Sequence, residues 1–89
     1  MAEWLLNMEH TNIYSWLCNY LDEEFDIPEL HEDDEFMNDL GLSSLDVFTL
    51  LADLEYEYDI KISEKLIRQM ITVKDMVEAI GELLKAEKG

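Results

Sequence analysis

Only three glycines and one proline interrupt these 89 residues, and the apolar side chains between them return at helical spacing. Together these features confine the chain to packed helices, because a β fold needs alternating apolarity and frequent turn residues. Ile13, Trp16, Leu17, Tyr20 and Leu21 share one face of a first helix. Trp4, Leu5 and Met8 nearly keep that phase, whereas Thr11 has the side chain of a cap, so an early and a late start are both open. Pro28 closes the run, since its ring cannot join interior helical hydrogen bonds and disfavours helix at the residue before it.

Residues 22–39 form an acidic connection, with Asp or Glu at ten of eighteen positions. A connection this long needs anchors, and Phe25, Ile27, Leu30, Phe36 and Met37 are the apolar candidates. Gly41 then breaks the chain, Ser43 offers a cap and Asp46 lies three residues on, in a capping-box arrangement with the shorter acid. Val47, Leu50, Leu51, Leu54 and Tyr58 line one face of the second helix that follows. Ile60-Lys61-Ile62 alternates like a strand but is short and unpartnered, and reads as a loop. Ser63 caps a short third helix through Leu66, Ile67 and Met70, with Glu64 in its first turn. Thr72 opens a fourth, in which Val73, Met76, Val77, Ile80, Leu83 and Leu84 repeat at helical spacing. Asp75 sits early in that helix and Lys85 and Lys88 late, as the helix dipole favours. The expected fold is all-α, a single domain over 1–89 forming a four-helix bundle with three longer helices and one short one. Residues 1–10 are either an extension or the first part of the first helix.

Charge narrows the function. Twenty-two acids against six bases give −16, and every Lys and Arg falls after residue 60, leaving seventeen acids and no base before it. Such a field repels nucleic-acid phosphates and anionic lipid and draws basic protein surfaces. No stretch approaches the ~20 apolar residues that span a bilayer, and the first ten residues lack the pattern of a secretion signal. One cysteine excludes an internal disulfide and fits a reducing, cytoplasmic setting. Cys18, between Leu17 and Tyr20 on an apolar face, reads as a small core residue, and His10 and His31 as surface residues without ligand spacing. The acidic run 32–35 lacks the glycine and the twelfth-position Glu of a calcium loop, so no metal site is assigned. Trp16 is expected in the core.

The segment that carries chemistry is Asp39-Leu40-Gly41-Leu42-Ser43-Ser44-Leu45-Asp46. It resembles the prosthetic-group site of acyl carrier proteins, usually Asp-Leu-Gly-x-Asp-Ser-Leu-Asp, and the likeness runs without a gap from about Phe36 to Ile80. The resemblance implies a carrier of acyl-carrier fold, with 4′-phosphopantetheine attached covalently to Ser44 by a phosphopantetheinyl transferase. The helix start suits a phosphate, because its first N–H groups lack partners and the helix dipole is positive there. Acyl groups held on the arm as thioesters would pass to fatty-acid or polyketide-type enzymes. Basic patches of those enzymes would meet Leu45, Asp46, Phe48, Ala52, Asp53, Glu55, Glu57 and Asp59. Ser43 replaces the family's usual Asp, Thr49 its frequent Glu, and Lys61, Lys65 and Arg68 make this surface less acidic than is common.

Two other readings stay open at this level: an aminoacyl or peptidyl carrier, and an unmodified acidic helical adaptor. Neither nucleic acid nor membrane is an expected partner, and a monomer is expected. An enzyme is set aside because no base, nucleophile partner or metal constellation accompanies Ser44. For a long acyl cargo, Leu50, Leu54, Ile62, Ile67, Met70 and Met76 are candidate lining residues between the helices.

Overall fold

Four helices carry the chain: α1 (Met8–Phe25), α2 (Ser44–Tyr58), α3 (Glu64–Gln69) and α4 (Val73–Lys88). The computed structural model describes residues 8–88, and the side chains of residues 10–86. Among them β structure is limited to one isolated antiparallel bridge, Glu35 with Thr72. The expected all-α bundle, with a short third helix, is what forms.

The early start of α1 is the one adopted, and Thr11 lies inside the helix rather than at its cap. Trp4 and Leu5 fall outside the described residues. The helix stops at Phe25, ahead of Pro28, because Asp26 turns left-handed with φ 57°. The N–H of Ile27 then donates to the Leu21 carbonyl at 3.1 Å. Asp59 ends α2 in the same way, with φ 53° and its N–H on the Glu55 carbonyl. Aspartate tolerates this conformation better than most side chains, so two acids do here what glycine usually does.

Helical spacing selects the core as expected. Ile13, Leu17 and Leu21 of α1, Leu50, Leu51 and Leu54 of α2, and Val73, Met76, Val77 and Ile80 of α4 are all buried. The short α3 contributes no buried residue, and its Leu66 and Ile67 pack against the core half-buried. Between α1 and α4 the His10 ring sits over Gly81, and an added Cβ there, 2.7 Å from the ring, would displace it. Trp16 is only half-buried, stacking on Tyr20 with ring centroids 4.8 Å apart. A side chain that large on a three-helix face packs against the core without entering it. Cys18 is half-buried against the same core.

The acidic connection is pinned from both ends. Leu30 and Phe36 are buried, and Phe25 and Ile27 pack on the core, whereas Met37 turns outward. The N–H of Phe36 donates to the Ile71 carbonyl at 3.1 Å, and Val73 and Lys74 N–H groups donate to the Asp34 and Glu32 carbonyls. These bonds tie the connection to the start of α4, a pairing that helical spacing cannot reveal.

Phe36 is therefore the side chain on which the connection hangs. Truncating it leaves a cavity and frees residues 32–40, at a cost of about 3–5 kcal/mol. Urea unfolding should show that loss for Phe36→Ala, while Met37→Ala, at an exposed position, changes stability by less than ~0.5 kcal/mol. Equal small losses in both variants would show that Phe36 does not anchor the segment.

Candidate functional site

Gly41 brings the chain into α2 with φ 74°, a conformation that most side chains adopt only with strain although a Cβ there would meet no neighbour. Leu42 follows, buried, with its N–H on the Phe36 carbonyl at 3.0 Å. The next residue, Ser43, closes a reciprocal cap. Its hydroxyl accepts from the Asp46 N–H at 3.1 Å, and its own N–H donates to Asp46 Oδ2 at 3.0 Å. Of the four N–H groups without intrahelical acceptors at a helix start, the cap satisfies two. Those of Ser44 and Leu45 remain.

The two adjacent serines are thus separated by geometry. Ser43 is committed to the cap, whereas Ser44 occupies the first position of α2 and is exposed. Its side chain borders a groove of about 480 Å³ whose lining is mostly apolar, including Phe36, Val47, Phe48, Ile67, Met70 and Ile71. Of the six residues expected to surround a long cargo, Ile67 and Met70 line this groove. Leu50, Leu54 and Met76 are instead fully buried in the packed core.

The eight residues expected to meet partners divide into two groups. Leu45, Phe48, Ala52, Glu57 and Asp59 are exposed. Three acids each have one oxygen engaged within the fold, the exposed Asp53 among them: Asp46 in the cap, Asp53 by the Tyr20 hydroxyl at 2.5 Å and Glu55 by the Ile62 N–H at 2.7 Å. The family resemblance assigned them to a docking face; a carboxylate on a bundle edge also finds donors on the neighbouring element. Conversely, Tyr56 is 89% exposed and continues the stripe of Leu45, Phe48 and Ala52 along α2. Counting the helical phase onward from Ala52 would have found it. Met37 and Ile71, also exposed, add apolar surface beside the groove.

Elsewhere the side chains argue against reactivity. Burial pushes the Cys18 thiol pKa up, only partly offset by hydrogen bonding with the Tyr14 side chain, which keeps the thiolate scarce. The Tyr14 hydroxyl itself donates to the Leu30 carbonyl. His31 is exposed and lies 3.5 Å from Asp34. Among the described residues no group of three or more His, Cys, Asp or Glu is arranged to hold a metal ion, and no helix is long and apolar enough to cross a membrane.

Comparison with known proteins places this geometry. The family described as a phosphopantetheine attachment site matches residues 15–80, so the class is a carrier domain built around a covalent arm. An acyl carrier protein of Karelsulcia muelleri is 40% identical over 68 residues, covering 76% of this chain and 77% of that protein. One from Prochlorococcus marinus is 33% identical over 84 residues, covering 92% and 100% respectively. The crystal structure of an acyl carrier protein from Thermotoga maritima has the same fold, with a TM-score of 0.80 over 91% of this chain and 96% of that one at 23% identity. The chain belongs to the acyl carrier protein family, whose members are carriers rather than enzymes and whose prosthetic group is phosphopantetheine.

The bond from Tyr20 to Asp53 joins α1 to α2 near the site and makes a pH-dependent contribution. Burial first, then the hydrogen bond and charge of Asp53, raise the Tyr20 pKa well above its ordinary 10.0. A raised pKa means that the folded state favours the neutral phenol. Its stabilisation is complete below about pH 10 and is lost as pH climbs from there towards the folded-state pKa. Tyr20→Phe should lower stability by ~1 kcal/mol at neutral pH, and the gap from wild type should narrow above about pH 10. Tyr14 and Tyr58 are shifted in the same direction, so part of the alkaline loss persists in the variant. A gap that widens with pH would refute this assignment.

Proposed function

We propose that Ser44 is the residue to which 4′-phosphopantetheine is attached, and that the protein carries acyl groups for fatty-acid or polyketide-type synthesis. One observation supports the choice of residue above the rest: Ser43 takes the cap, while the Ser44 hydroxyl stands exposed and uncommitted one position later. The surroundings fit the group. The N–H groups of Ser44 and Leu45 are available to a phosphate at the positive end of α2, and the adjoining groove offers an apolar surface. When bound, the group supplies a terminal thiol on a long arm, where an acyl cargo is held as a thioester.

The chain's own part is to hold that hydroxyl open and to be recognised. Recognition by the transferase and by acyl-processing enzymes would use the exposed residues around Ser44: Leu45, Phe48, Ala52 and Tyr56, flanked by Glu57 and Asp59. Asp46, Asp53 and Glu55 each have one oxygen engaged by an internal donor, which leaves the charge and the second oxygen for a partner. The excess of seventeen acids before residue 60 suits partners with basic patches. A cytoplasmic, monomeric carrier is consistent with this reading.

Intact-mass measurement after incubation with coenzyme A, magnesium and a broad-specificity phosphopantetheinyl transferase tests the proposal. Wild type should gain one arm and Ser44→Ala none. Ser43→Ala should still gain the arm, while losing ~1 kcal/mol of stability with its cap. An unmodified wild type, or an arm found on Ser44→Ala, would rule out Ser44.

A further inference from the structure

The groove beside Ser44 contains an unexpected charge. In a chain with six bases, Arg68 lines the same groove as Ser44, and it is the one basic residue among those that do. The rest of the lining is apolar or neutral except Glu35, whose Oε1 already accepts from the Asn38 amide at 2.6 Å.

Arg68 is loosely held. It is 81% exposed, and its acidic neighbour Glu64, one turn earlier in α3, is 86% exposed and 3.9 Å away. A helix-surface pair with that geometry contributes almost nothing to stability. Its guanidinium therefore exchanges partners at little cost. A phosphodiester on Ser44 would introduce another negative charge into a region with no Lys or Arg before residue 61. The planar, permanently charged fork of arginine matches phosphate oxygens two at a time, which a lysine cannot do.

Resting on the assignment of the arm to Ser44, we infer that Arg68 is the counter-ion of the arm's phosphodiester, holding it at the rim of the groove that Ser44 and Arg68 share. The arm's phosphate is fixed at Ser44 and its next segment is a branched hydrocarbon followed by amides. A short charged region leading into an apolar channel has the same sequence of chemistry. Met37, Phe48, Ile67 and Ile71 would contact the hydrocarbon portion, and Arg68 would hold the phosphate at the rim. Arg68 is a positioning residue here: it fixes where the arm lies and takes no part in attaching it.

Nuclear magnetic resonance of methyl-labelled protein before and after arm attachment provides the test, with mass confirming full modification. Attachment should shift the Met37, Ile67 and Ile71 methyl resonances and slow exchange of the Arg68 Nε–H roughly threefold, the scale of an exposed charge-assisted contact. Arg68→Gln, at an exposed position, should be modified fully and show an unshifted spectrum without the arm. Its methyl shifts on attachment should shrink by about the same factor, whereas Lys61→Gln should behave as wild type. Full modification with methyls at their original positions, or with equal shifts in Arg68→Gln, overturns the inference and leaves Ser44 standing. No gain in mass overturns both. Should the variant not fold, the Nε–H exchange of the wild-type protein decides alone: unchanged exchange on attachment is a negative result.

Discussion

Twenty-two carboxylates and six bases cannot neutralise one another by pairing, and the fold answers that imbalance with backbone N–H groups. Asp34 accepts from His31, Asp39 from Glu35, Asp46 from Ser43, Glu55 from Ile62, and Asp75 from both Ile71 and Thr72. The ion pair of Arg68 with Glu64 is exposed and 3.9 Å long, and the contact of His31 with Asp34 becomes an ion pair only when the imidazole is protonated. A carboxylate held by a backbone donor is stabilised without a cation, and it also satisfies an amide that a turn or helix start would otherwise leave open. In this chain acidity and helix capping are the same device. It is how the acidic connection that follows α1 is held, and why α2 begins at one defined residue.

Much of this was legible from residue order. The 3.6-residue spacing of Leu50, Leu51 and Leu54, or of Val73, Met76, Val77 and Ile80, marks positions that prove fully or nearly buried. The reciprocal cap at Ser43 and Asp46 was readable because capping is local, as was the cap at Ser63, whose hydroxyl accepts from the Leu66 N–H. What spacing could not supply was anything decided between elements. The bridge from Glu35 to Thr72, the hydroxyl of Tyr20 on Asp53 and the fit of His10 against Gly81 each join distant positions. Helix ends were the other gap, since Asp26 and Asp59 adopt a conformation more readily expected of glycine.

The candidate site divides along the same line. Ser44 and its exposure follow from local rules, given a cap at Ser43 and a break at Gly41. The groove does not, because Met37, Phe48 and the pair Ile67 and Ile71 come from three separate stretches of chain. Arg68 illustrates the difference. In sequence it is a basic residue that dilutes an acidic surface; in the fold it is the cation bordering the groove of Ser44.

That distinction bears on how an acidic carrier would be recognised. Net charge acts at a distance and is screened over about 8–10 Å at ordinary ionic strength, so it directs approach more than it fixes a docked pose. At contact, the outward stripe of α2 presented by Leu45, Phe48, Ala52 and Tyr56 is apolar, and three nearby acids are already bonded within the fold. On the proposed reading, the long-range and short-range parts of recognition therefore reside in different atoms. Removing a committed acid such as Asp46 would disturb the helix start and the approach together. Removing an exposed apolar residue such as Tyr56 would act on the docked state alone, since that side chain is largely in water until a partner covers it.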